Sequence, residues 1–140
     1  MSTVIVRGRA TGFVQEVEIG RHRLVADEPE AVGGTDAGPS PYDYLLIALG
    51  SCTSMTIALY ARRKQWPLDG VVVRLEHSRN HAADCAECET KEAMLDRIDR
   101  EISLSGTLTE EQRARLLGIA ERCPVHRTLS SGVNIRSRLA

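Results

Sequence analysis

Four cysteines and four histidines carry much of the chemistry this chain of 140 residues can offer. Two of the cysteines stand alone. Cys52 lies inside LGSCTSMTIALYARRK (residues 49–64), and Cys123 lies inside ERCPVHRTL. Cys123 precedes Pro124, and proline is favoured as the first residue of a helix, so Cys123 reads as the N-cap of a new helix. Free backbone N–H groups at that position favour a thiolate, and His126 and Arg127 add positive charge one turn on. The plain alternative is a buried cysteine that only caps a helix.

Cys52 has less local help. It is placed mid-helix among apolar residues, where burial raises a thiol pKa and leaves the sulfur inert. Buried cysteine is commonly a small hydrophobe. To ionise, Cys52 needs a cation or a hydrogen-bonded network brought from elsewhere. Asp43 stands nine residues earlier on the same helix, about 13 Å along the axis. It does not touch Cys52 in an ideal helix, but can hold a cation that does if the helix is kinked at its start.

The remaining pair belongs to HSRNHAADCAEC (residues 77–88). His77, His81, Cys85 and Cys88 follow H-x3-H-x3-C-x2-C. This spacing supplies four ligands for a Zn²⁺ ion, or a redox dithiol. A solvated loop with reduced thiols is the bland alternative.

These residues need elements to position them. Residues 2–8 alternate as a half-buried strand does, and 13–19 and 21–27 follow after glycines, giving a small antiparallel meander. EPEAVGGTDAGPSP (28–41) holds Pro29, Pro39, Pro41 and three glycines, and a loop of this length calls for a functional reason. Ser40-Pro41 is an N-cap followed by a favoured first helical residue, so a helix starts at about Pro41. It runs to Lys64 with Leu45, Leu46, Leu49, Cys52, Thr53, Thr56 and Leu59 on one face. Ile47, Ala48, Met55 and Ala58 make the opposite face apolar or small as well. A helix of this kind is buried on nearly all sides, with a partner subunit covering part of it.

Trp66-Pro67 stops the helix. A strand over 70–77 follows, then a polar stretch over 78–93. In the strand at 94–105, Ile98, Arg100, Ile102 and Leu104 face one way and Asp99, Glu101 and Ser103 the other. Thr109 and Gln112 form a capping-box pattern. CPVHRTL starts a further turn or helix, and GVNIRSRL (132–139) reads as a closing strand. The sum is an α+β fold in a single domain over 1–140.

Composition narrows the function. Hydrophobic residues make up 42% and charged residues 26%, with a formal net charge of −1 and five aromatic residues of the Phe, Trp and Tyr types. No sign excess points to nucleic acid or an anionic membrane, and stacking platforms are scarce. The start MSTVIVRGRA lacks the apolar core of a signal peptide, and no stretch approaches about 20 apolar residues. The expected compartment is the cytoplasm. There thiols stay reduced, so these cysteines read as catalytic, redox or metal-binding.

GGTDAGPSPYDYLLIALGSCTSMTIALYARRK together with ERCPVHRTLSSGVNI resembles the OsmC/Ohr family of thiol-dependent peroxidases, within an OsmC-like subgroup. The match spans nearly the whole chain. The resemblance implies antiparallel sheets around a long buried central helix, in an interlocked homodimer with active sites at the interface. It gives Cys52 the place of the peroxidatic cysteine and Cys123 that of the resolving cysteine. An organic, or inorganic, hydroperoxide would oxidise Cys52 to a sulfenic acid, Cys123 would condense with it, and an external dithiol would reduce the disulfide. No cofactor is required. Asp43 matches the family's carboxylate, with Asp where Glu is usual. The family's arginine aligns near Gln15, which leaves Arg21, His22 and Arg23 as candidate cations. The resemblance does not absorb His77, His81, Cys85 and Cys88. The alternative they support is a metal- or small-ligand-binding protein of the same fold with little peroxidase activity.

Overall fold

A computed structural model describes residues 2–81 and 94–140. The chain forms two compact units, Met1–Leu45 and Leu46–Ala140.

In the first unit, β1 (Val4–Gly8), β2 (Gln15–Ile19) and β3 (His22–Ala26) form an antiparallel sheet in the order β1-β2-β3. Val6 faces Val17, and Val17 faces Leu24. The long loop that follows is built on one carboxylate. Buried Asp27 accepts from the backbone N–H of Glu28, Thr35 and Ala37 and from the Thr35 hydroxyl. Those donors, Ala37 first, hold its pKa down to about 2. A short 3-10 turn, Glu30–Val32, interrupts the expected loop. Gly38 is required where the chain passes Val25, because a Cβ there would lie 2.3 Å from the Val25 carbonyl oxygen. The Tyr44 hydroxyl bonds the same oxygen at 2.6 Å.

Helix α1 (Pro41–Lys64) starts where Ser40-Pro41 places it. Ser40 and Asp43 cap it reciprocally: Asp43 N–H donates to Ser40 Oγ at 3.2 Å, and Ser40 N–H donates to Asp43 Oδ2 at 3.0 Å.

In the second unit, β4 (Leu68–His81) and β5 (Met94–Gly106) form a long antiparallel hairpin. The strands reach further than the pattern predicts: residues 78–81, expected to be part of a polar loop, pair with 94–97. Helix α2 (Glu110–Ala120) begins with the anticipated Thr109–Gln112 capping box, and α3 (Pro124–Ser130) begins at Cys123. The core joins Ile57 and Ala61 of α1 to Leu116 and Ala120 of α2, with Ile102, Leu104 and Trp66 packed against it. Gly50 lets α1 approach β4, since a Cβ there would stand 2.7 Å from Leu75 Cδ1.

Two expectations need correction, and one is met only in part by a single chain. Residues 132–139 form no strand, and Ile135 is 83% exposed. Alternation supplies two faces, but a strand also needs an edge to pair with, and none is engaged here. For α1, whose burial was expected to need a partner subunit in part, the single chain buries one stripe. Leu49, Gly50, Thr53, Ile57 and Ala61 are buried, while Ile47 and Met55 remain 52% and 71% exposed. Finally, α1 is long and apolar enough to cross a membrane by length and composition, with a mean hydropathy of 1.6 over its most apolar window. Its buried stripe of small and aliphatic residues is that of a core helix.

Candidate active site

The two lone cysteines of the sequence meet in the second unit. Neither is in a disulfide, Cys123 is buried, and Cys52 is partly buried. The Cys123 thiol is within hydrogen-bonding reach of the Cys52 sulfur. Burial pushes the Cys52 thiol up. The hydrogen bonds from the Cys123 thiol, the Val125 backbone N–H and the Thr56 hydroxyl more than offset it, leaving the Cys52 pKa below that of an ordinary thiol.

This reverses the local expectation. Cys123 does stand at the N-cap of α3, but its side chain makes no capping bond. Burial raises its pKa, and so does donating its proton to Cys52. The backbone N–H groups of His126 and Val125 pull the other way and do not win. The start of α3 serves the neighbouring sulfur as well: Cys52, mid-helix and with no helix terminus of its own, receives a free N–H from the first turn of α3. The sequence signal was in hand, since CPV places free donors after Cys123. What it lacked was the packing of α3 on α1.

Beside the thiols lies a polar cluster on Arg100, a residue that sequence reasoning did not mark as functional. Its side chain is 10% exposed. Nη1 donates to Thr53 Oγ1 at 2.9 Å, and Thr53 in turn donates to the Leu49 carbonyl at 2.6 Å. Nη2 lies 3.3 Å from His126 Nδ1 and 3.5 Å from Glu121 Oε1, and His126 Nε2 lies 3.0 Å from Glu121 Oε2. One signal could have found Arg100. It is the charged member of the otherwise aliphatic face Ile98, Arg100, Ile102 and Leu104. The cluster walls a cavity of about 420 Å³ lined also by Leu49, Leu129 and Ser130.

Asp43 is engaged in the α1 capping box. Arg21, His22 and Arg23 belong to the first unit, where Arg23 donates to the Gly20 and His22 carbonyls and pairs with Glu18 at 3.5 Å. His77 places Nε2 2.8 Å from Asp96 Oδ1. The backbone of His81 ends β4, but its side chain, Cys85 and Cys88 lie outside the described residues. Among the described residues, no group of three or more His, Cys, Asp and Glu gathers as a metal site.

The two-cysteine core sits in a recognisable frame. A family model for OsmC-like proteins matches residues 34–138. The chain belongs to the OsmC-like family. Solved structures share its fold. An OsmC-like protein from Mycoplasma pneumoniae is 19% identical, with 93% of this chain and 86% of that one covered and a TM-score of 0.69. An organic hydroperoxide resistance protein from Legionella pneumophila is 18% identical, over 92% and 88% of the two chains, at a TM-score of 0.69. Another, from Bacillus subtilis, is 17% identical, over 91% and 88%, at 0.62. No curated protein matches this chain. At these identities the likeness establishes the OsmC-like fold and leaves the chemistry to be argued from the residues.

Proposed function

We propose that this OsmC-like protein is a thiol-dependent peroxidase that reduces organic hydroperoxides. The observation that carries this reading is the contact between Cys52 and Cys123, with the proton biased toward Cys123. The Cys52 thiolate attacks the outer peroxide oxygen, the O–O bond breaks, and the leaving alkoxide takes a proton as alcohol. Cys52 is now a sulfenic acid. Cys123 attacks that sulfur, hydroxide leaves and takes up the thiol proton as water, and a disulfide remains. An external dithiol supplies the two electrons that restore both thiols. Support also comes from structural neighbours that are organic hydroperoxide resistance proteins.

In this reading the chain is one domain completed as a cytoplasmic homodimer, with the exposed face of α1 covered by the partner copy. Asp43 takes the carboxylate role, with Arg21, His22 or Arg23 as the cation it orients. The decisive variant is Cys52→Ser, which is expected to abolish hydroperoxide consumption. Consumption at the parent rate would reject the assignment.

A further inference from the structure

Arg100 is an expensive residue for its position. It sits on the inward face of β5 between Ile98 and Ile102, where an aliphatic side chain would bury without cost. A charge kept there must be paired and hydrogen-bonded. Its partners come from three other places: Thr53 of α1, Glu121 just after α2, and His126 of α3. Arginine can only donate, so His126 Nδ1 is the acceptor and its proton lies on Nε2, toward Glu121. The result is a closed triangle in which each side chain orients the other two.

The triangle is attached to both cysteines. Thr53 is the residue after Cys52. His126 lies in the first turn of α3, three residues after Cys123, and its backbone N–H lies close enough to the Cys123 sulfur to pull its pKa down. Arg100 therefore ties the helix that carries one sulfur to the helix that presents the other.

We propose that Arg100, Glu121 and His126 form a positioning clamp that holds Cys123 against Cys52 and sets how fast the two thiols close into a disulfide. Its use in the cell rests on the peroxidase reading above. A sulfenic acid left waiting is open to a second peroxide and to sulfinic acid, so a fast second step protects the enzyme. Arg100 touches no reacting atom in this scheme; it acts through the placement of α3.

The clamp can be tested without peroxide. Ellman's reagent, a diaryl disulfide, takes a Cys52 thiolate and releases one aryl thiolate, leaving a mixed disulfide. Cys123 then attacks the Cys52 sulfur, and a second aryl thiolate leaves. The two releases are read separately by absorbance, in full-length protein carrying Cys85→Ser and Cys88→Ser so that only this pair reports. Arg100→Gln is expected to slow the second release about tenfold or more, the factor set by losing a charged hydrogen bond. The first release should change by less than about threefold, and Arg100→Lys should recover part of the loss. An unchanged second release, or equal slowing of both, would overturn the clamp. If Arg100→Gln does not fold, Glu121→Ala at an exposed side chain gives the same readout: slowing of the second release alone supports the clamp, and no slowing overturns it. The parallel run with cumene hydroperoxide separates the two ideas. If Cys52 fails to oxidise there, the peroxidase reading falls, while the two-step release still decides the clamp.

Discussion

At the scale of single residues, the two neighbouring sulfurs differ in the direction of their acidity. Cys52 accepts hydrogen bonds from Cys123, Val125 and Thr56, and its pKa falls; Cys123 is buried and donating, and its pKa rises. Iodoacetamide labelling across pH, followed residue by residue, should therefore give Cys52 a lower midpoint than an ordinary thiol and Cys123 a higher one. The sign follows from which sulfur holds the proton. Cys123→Ala removes the main donor to Cys52, so the Cys52 midpoint should move up toward the ordinary value. A midpoint that stays put would show that Cys123 does not support the thiolate. Local spacing in the sequence favoured a thiolate at Cys123, while the family resemblance placed the reactive sulfur at Cys52; the contacts lower the Cys52 pKa and raise that of Cys123. Acidity here comes from contacts between residues far apart in the chain, which local spacing does not carry. Asp43 shows a second limit. Its capping bonds to Ser40 are enough to account for a carboxylate at that position. Asp43→Asn separates the two roles, because Asn still caps a helix but carries no charge. If Asp43 orients a cation, Cys52 oxidation slows while thermal stability holds; if both hold, its role is the cap alone.

Elements were legible where a local rule fixes them. The Ser40-Pro41 start of α1, the Thr109–Gln112 capping box of α2 and the alternation of β5 all follow from nearest-neighbour chemistry. Thr109→Ala should cost about 1 kcal/mol, seen as a lower denaturant midpoint with an unchanged slope. The loop after β3 had a reason that its Gly and Pro content did not show. Asp27 gathers the N–H groups of residues 28, 35 and 37. Its depressed pKa means that this stabilisation is present above the unfolded carboxylate value of about 3.9 and is lost as pH falls through about 2. Asp27→Asn, which turns one acceptor into a donor facing N–H groups, should lower Tm by several degrees at neutral pH and lose most of that difference in strong acid. Residues 132–139 failed because alternation does not name the edge a strand will join. Arg100 escaped notice because one charge on an aliphatic face looks like an imperfection in a pattern until its partners on other elements are seen.

At the scale of the whole molecule, the family was legible because its motifs are contiguous: GPSPY, GSCT and RCPVHRTL lie within the segment matched as OsmC-like. What the sequence read as burial on all sides of α1 becomes, in one chain, a buried stripe and an open apolar face at Ile47, Met55 and Leu59. A second copy would cover that face. Sedimentation should accordingly report a dimer, and Met55→Glu, which sets a charge on the open face, should shift it toward monomer; a monomeric parent protein would remove this part of the account. The claim on which the rest depends is that Cys52 and Cys123 act as one redox pair. It is tested most directly by adding one equivalent of an organic hydroperoxide to reduced protein and mapping the product by mass spectrometry. The account predicts the loss of two free thiols and a single Cys52–Cys123 disulfide. Both cysteines recovered as thiols with the peroxide unconsumed would contradict it.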